Sequence, residues 1–210
     1  MSQKNLISFD EIAENDPNFL DTDEYIHWAS QFDNDHPLNL EIGFGNGSFL
    51  IEMAIQNPDI NFIGMDFYHK GIRKTITRIG KLQLKNVRLA YGDARERIPF
   101  LFREQDLQAI YINFPDPWPK KRHIKRRLIK PPFVNVLAEK LKASGKIFIA
   151  TDSESYALEI LDVFESELLL ANAAVPSSFI PYRNGAPKSK YEKSFIKQDK
   201  KIFYMEFVKK

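Results

Sequence analysis

Leu38-Asn39-Leu40-Glu41-Ile42-Gly43-Phe44-Gly45-Asn46-Gly47 decides how this chain is read. Leu38–Ile42 has the length and composition of a buried strand, and three glycines at alternate positions then break it. Ser48–Gln56 carries helical periodicity up to Asn57-Pro58. Strand, glycine turn and helix in that order open a βαβ unit, and the pattern repeats downstream. Strands are predicted at Asn61–Met65, Val87–Tyr91, Gln108–Ile112 and Lys146–Ala150, with a sixth at Leu168–Val175 and a last at Lys201–Val208. Helices are predicted at His69–Leu84, Ala94–Phe102, Phe133–Leu141 and Glu154–Glu165. Such alternation implies right-handed crossovers and an α/β fold, with a mostly parallel sheet covered by helices on both faces.

Ligands of such sheets bind beyond the carboxyl ends of the strands, so the polar residues found there are read together. They are Glu41, Asp66, Asp93, Asn113 to Asp116, and Thr151-Asp152. The turn spacing G-x-G-x-G at Gly43, Gly45 and Gly47 is neither a dinucleotide fingerprint nor a phosphate loop. Glu41 directly before it disfavours pyrophosphate and favours a ligand with a cationic end. Asp66 stands where an acid accepts from ribose hydroxyls, and Asp93 where one accepts from an adenine amino group. A cationic amino acid, a ribose and an adenine together describe S-adenosyl-L-methionine.

Composition narrows the choice further. The chain has 210 residues, 43% apolar, with no cysteine, which excludes disulfides, thiolate metal sites and a cysteine nucleophile. The four histidines lack metal-binding spacing, so no metal is expected. With no signal peptide and no long apolar run, a cytoplasmic location is the default expectation. The net charge of +2 hides an asymmetry: residues 1–40 carry nine acids against Lys4 alone. This acidic segment, 1–37, is expected to be an arm or cap, with a short helix at Glu24–Phe32, before a domain spanning 38–210. From residue 113 onward there are 19 Lys/Arg against 11 Asp/Glu, which points to a polyanion partner.

That excess is concentrated in Asn113-Phe-Pro-Asp-Pro-Trp-Pro-Lys-Lys-Arg-His-Ile-Lys-Arg-Arg-Leu128, which follows the fourth predicted strand. The motif closely resembles the signature of the bacterial tRNA (guanine-N7-)-methyltransferases. The resemblance extends over about residues 38–208, through Glu41 and its glycines, Asp66, Gly92-Asp93-Ala94, Thr151-Asp152 and Ser189-Lys-Tyr-Glu192. It implies a Rossmann-like class I methyltransferase with seven strands, the last antiparallel. It further implies transfer of a methyl group to a guanine in the tRNA variable loop, at tRNA position 46.

Residue by residue, the resemblance implies cofactor contacts at Glu41, Gly43, Gly45, Gly47, Asp66, Asp93 and Asp116, with Asp116 also catalytic. Lys120, Asp152, Ser189, Lys190, Tyr191 and Glu192 are implied to touch substrate. Arg122, His123, Ile124, Lys125, Arg126 and Arg127 are implied to lie on RNA. The sequence departs from the family pattern at Ile124, where a second His is usual, at Ser189 and Tyr191 in place of Thr and Phe, and at Asp66 in place of Glu. Trp118 is compatible with stacking on a base or with packing beneath the loop. The expected assembly is a monomer or homodimer. Two competing readings are an adenine-N6-type methyltransferase, from the loose likeness of Asn113-Phe-Pro-Asp116 to Asn-Pro-Pro-Tyr, and a non-catalytic RNA-binding module.

Overall fold

A computed structural model describes residues 8–22, 24–175, 177–183 and 185–210. In chain order its elements are α1 (Phe9–Asn15), β1 (Phe19–Leu20), α2 (Trp28–Phe32), β2 (Leu38–Ile42), α3 (Ser48–Gln56), β3 (Asn61–Asp66), α4 (His69–Leu82), β4 (Val87–Tyr91) and α5 (Ala94–Leu101). They continue with β5 (Leu107–Asn113), a 3-10 turn at Lys121–Arg126, α6 (Pro131–Lys140), β6 (Leu141–Thr151), α7 (Glu154–Glu165), β7 (Leu170–Asn172), α8 (Lys190–Ile196) and β8 (Phe203–Lys209).

The strands lie in the order β1-β4-β3-β2-β5-β6-β8-β7. All neighbours up to β6 are parallel, and β8 alone runs against them, pairing antiparallel with β6 on one side and β7 on the other. The order reverses between β2 and β5, so the crevice for a ligand opens at the carboxyl ends of those two strands.

Burial on both faces explains the unbroken apolar runs of the central strands. From β2, Leu38, Leu40 and Ile42 join one core with Trp28, Ile98, Leu137 and Ile160. The opposite face carries Phe62, Leu89, Ala109 and Tyr111 against Phe49, Ile51, Ile72 and Ile76. The two-residue period of β2 therefore aims Asn39 and Glu41 toward the α3 side, where both are buried.

The elements depart from the sequence expectation in number and length. The sheet has eight strands among the described residues, because Phe19 and Leu20 pair with Leu89 and Ala90 at the β4 edge. Residues on both sides of position 37 share one sheet and one core. Trp28 donates from Nε1 to the Leu101 carbonyl at 3.1 Å and stacks on Phe102, and Arg97 pairs with Asp21 at 2.8 Å. A helix, α8, stands between the last two predicted strands, where no helix is predicted, while the expected strand at Leu168–Val175 shrinks to Leu170–Asn172. Elements of one or two turns carry too few residues to show a period.

Candidate active site

The glycine turn is shaped by its neighbours. Gly43, Gly45 and Gly47 all have φ between 56° and 74°, a region side chains rarely enter. At Gly47 a Cβ would also stand 2.2 Å from Thr75 Oγ1, and one on Gly71 would stand 2.0 Å from the Gly45 carbonyl oxygen. Helix α4 thus presses directly on the turn, and only glycines permit that approach. Gly45 N–H donates to Asp66 Oδ2 at 2.7 Å and Tyr68 N–H donates to Oδ1 at 2.9 Å. Each Asp66 oxygen keeps a lone pair for a further donor such as a ribose hydroxyl. Burial raises the Asp66 carboxyl above its ordinary value, and those N–H groups counteract the rise.

Glu41 lies at the floor of the crevice. Its Oε1 accepts from Asn113 Nδ2 at 3.1 Å, which ties the end of β2 to the end of β5. Its Oε2 is buried without a hydrogen-bond partner, as is Asn113 Oδ1. Burial pushes the Glu41 carboxyl up to about 7, against the pull of Asn113 and Arg183. A buried, unsatisfied carboxylate oxygen is expensive unless a donor arrives. The ammonium of S-adenosylmethionine is such a donor, so the donor-poor floor fits that group. Asp93 caps α5 and accepts from Arg95 N–H at 2.9 Å and Nε at 3.0 Å, with a further short contact from Arg95 Nη2. Arg95 holds the Asp93 carboxyl below its ordinary value.

Beyond Asn113 the backbone is strained. Phe114 and Trp118, each followed by proline, have φ of 53° and 40°. Bulky residues rarely adopt this region, and a following proline normally favours extended backbone. Phe114 is held by its N–H to the Ala150 carbonyl at 2.7 Å and by ring contact with Phe195 of α8 at 5.3 Å. Between the two strained residues Asp116 is exposed and makes no hydrogen bond or ion pair with the described residues. Such backbone strain persists only where surrounding contacts hold it in place.

The basic run then splits. Lys120, Lys121, Arg122, Lys125 and Arg126 are exposed, and His123 and Ile124 are half-buried. Trp118 packs rather than standing free: His123 meets its edge at 5.5 Å and Arg126 lies over its ring at 5.2 Å. Arg127, expected on RNA, is a correction. It is 5% exposed, donates from Nε to the Pro117 carbonyl at 2.7 Å, pairs with Glu159 and covers Tyr156 at 4.6 Å. Its charge is used inside the protein to hold the loop that carries Asp116.

The expected Ser189–Glu192 contact divides likewise. Ser189 and Glu192 are buried and cap α8 reciprocally, Glu192 N–H donating to Ser189 Oγ at 3.1 Å and Ser189 N–H to Glu192 Oε2 at 3.2 Å. Tyr204 donates from its hydroxyl to Glu192 Oε1 at 2.7 Å. These two residues are therefore occupied internally, whereas Lys190 and Tyr191 are exposed, with the Tyr191 ring 6.4 Å from that of Phe114. Asp152 meets Lys200 at 3.4 Å. The structure thus gathers Glu41, Asp66, Asn113, Asp116, Asp152 and Tyr191 around the ends of β2, β3, β5 and β6. A cavity of about 230 Å³ lined by Tyr25, Trp28, Leu38 and Asn61 opens at the opposite end of the strands.

Sequence reasoning missed Arg183, which is buried with its guanidinium over Phe49 and Tyr111. No local signal marks it; it is one arginine in a Pro-Tyr-Arg loop.

Sheet order, glycine turn and acids at three successive strand ends define a class: a Rossmann-like methyltransferase that uses S-adenosyl-L-methionine. Solved structures agree on the fold. The aminoglycoside resistance methyltransferase NpmB1 superposes with a TM-score of 0.59 at 14% identity, over 86% of this chain and 91% of that one. An rRNA methylase from Streptococcus thermophilus gives 0.54 at 15% identity, over 87% and 95%. A family model described as "Putative methyltransferase" matches residues 35–205. A tRNA (guanine-N(7)-)-methyltransferase of Geobacter metallireducens is 37% identical over 92% of this chain and 93% of that protein. One from Buchnera aphidicola subsp. Acyrthosiphon pisum (strain Tuc7) is 38% identical over 87% and 76%. The chain belongs to the tRNA (guanine-N7-)-methyltransferase family.

Proposed function

We infer that this protein methylates N7 of a guanine in tRNA, in the variable loop at position 46. The observation that carries this reading is the placement of Asp116: an exposed, unpaired carboxylate on a strained loop, between the crevice floored by Glu41 and the exposed cations of the 3-10 turn. When bound, S-adenosylmethionine supplies a methyl group on a sulfonium, which N7 takes with its lone pair as the sulfur–carbon electrons return to sulfur. N7 carries no proton at neutral pH, so no general base is required. The protein's work is orientation and charge balance.

Asp116 accepts from the guanine N1–H and exocyclic amino edge and fixes the direction in which N7 points. It also favours the positive charge that the purine ring gains. Glu41 holds the cationic amino-acid end of the cofactor, Asp66 the ribose, and Asp93 shares its carboxylate between Arg95 and the adenine edge. Lys120, Lys121, Arg122, Lys125 and Arg126 hold phosphates, which sets affinity and salt dependence rather than base choice. Asp152, Lys190 and Tyr191 face the substrate from the other side of the loop. Among the described residues no helix is long and apolar enough to cross a membrane.

Nucleoside analysis of unmodified tRNA after incubation with the protein and labelled cofactor tests this reading. The expected product is 7-methylguanosine in the variable loop; N6-methyladenosine would instead assign the adenine chemistry. Asp116→Ala is expected to lower turnover by about 10²–10³-fold, the range for loss of one transition-state hydrogen-bonding group. Its tRNA affinity, measured by filter binding, should stay near the wild-type value.

A further inference from the structure

The guanidinium of Arg183 is buried, its side chain 4% exposed, and neither Nη1 nor Nη2 has a hydrogen-bond partner. Its nearest carboxylate, on Glu192, is 3.6 Å from Nη2, too far for a hydrogen bond. Glu192 is itself fixed by the α8 cap and by Tyr204. Arg183 lies 4.9 Å above Phe49, in the first turn of α3 after the glycine turn, and 5.9 Å from Tyr111. Tyr111 is the register partner of Glu41. The cation therefore occupies the same sheet face as Glu41, whose Oε2 is equally unpartnered, and no ion pair joins the two.

A buried cation and a buried acid, each with unused hydrogen-bonding capacity and not satisfying one another, call for a ligand bearing both charges. An α-amino acid does so on adjacent atoms, and the fork of a guanidinium suits a carboxylate. We propose that Arg183 completes the subsite for the amino-acid end of S-adenosylmethionine, donating to the carboxylate of the group whose ammonium Glu41 holds. The proposal rests on the cofactor assignment and extends it. It also gives the buried half of the Ser189–Glu192 motif a positioning role: Glu192 holds Arg183 in place.

The test is calorimetry of the full-length protein with S-adenosylmethionine and with its decarboxylated analogue. Wild type should bind the intact cofactor at least about tenfold more tightly, the scale of one charge-assisted contact. In Arg183→Gln that preference should vanish through weaker binding of the intact cofactor, with the analogue unaffected; Arg183→Lys should keep part of it. A wild-type protein that does not discriminate between the two overturns the proposal without any variant. So does an Arg183→Gln protein that folds, by circular dichroism, and retains the full preference. Failure of wild type to bind intact S-adenosylmethionine would overturn the cofactor assignment itself, a result distinguishable from either.

Discussion

Glu41 shows how one side chain is kept costly for the sake of its ligand. Its carboxyl is raised from an ordinary 4.5 to about 7 by burial. The neutral form is therefore the one the folded protein favours. Below pH 4.5 the group is neutral in both folded and unfolded chains and has no effect. Between about 4.5 and about 7 the unfolded chain has lost the proton that the folded chain keeps, so stability falls by up to roughly 3 kcal/mol as pH rises across that window and is level above it. Glu41→Gln removes that penalty. Its melting temperature, measured from pH 5 to pH 8, should move up relative to wild type as pH rises, by several degrees at pH 8. The same variant should lose cofactor binding, because an amide does not attract an ammonium. In the wild type, affinity for S-adenosylmethionine should strengthen as pH rises toward about 7 and level off above it, since the ligand favours ionised Glu41; titration calorimetry below pH 7 in two buffers of different ionisation enthalpy reads the released proton.

At the level of elements, two junctions decide the site. The first is the contact of α4 with the glycine turn, where Gly71 approaches the Gly45 carbonyl. Gly71→Ala forces that turn outward, at a cost of about 1–3 kcal/mol by analogy with overpacked cores. Cofactor affinity should fall in that variant while the far-UV spectrum remains helical and stranded. The second is the 3-10 turn. Its cations and the Arg127 that follows it share a sequence run but not a role, because Arg127 points inward onto Glu159, Tyr156 and the Pro117 carbonyl. Arg127→Leu should lower the melting temperature, by loss of roughly 1–3 kcal/mol of charged hydrogen bonding. Lys125→Glu should leave the melting temperature unchanged. It should instead weaken tRNA binding and reduce the slope of log affinity against log salt by about one.

Taken whole, the molecule is one sheet to which the acidic N-terminal segment contributes an edge. Strand β1 covers the backbone of β4, and α1 lies on α4, where Phe9 stacks on His69 at 3.8 Å. Removing residues 1–20 uncovers the β4 edge and the apolar surface around Leu89 and Ile72. The shortened protein is expected to melt at least several degrees lower and to associate at high concentration, as light scattering would show.

The amino-acid sequence by itself determined the alternating strands and helices, the glycine turn and the acids after each strand. These depend on neighbours in the chain: periodicity, a break at glycine, and one polar residue beyond each apolar run. The long motif at Asn113–Leu128 likewise carries the family resemblance in the sequence alone. Only the tertiary structure decided that Arg127 and Glu192 are occupied internally, that Phe19 and Leu20 form an edge strand, and that Arg183 shares a sheet face with Glu41. Burial and pairing depend on residues tens or hundreds of positions apart, which a charge run or a two-residue strand cannot encode locally. A cation reads the same in sequence whether it faces phosphate or a buried carboxylate; the packing around it makes the difference.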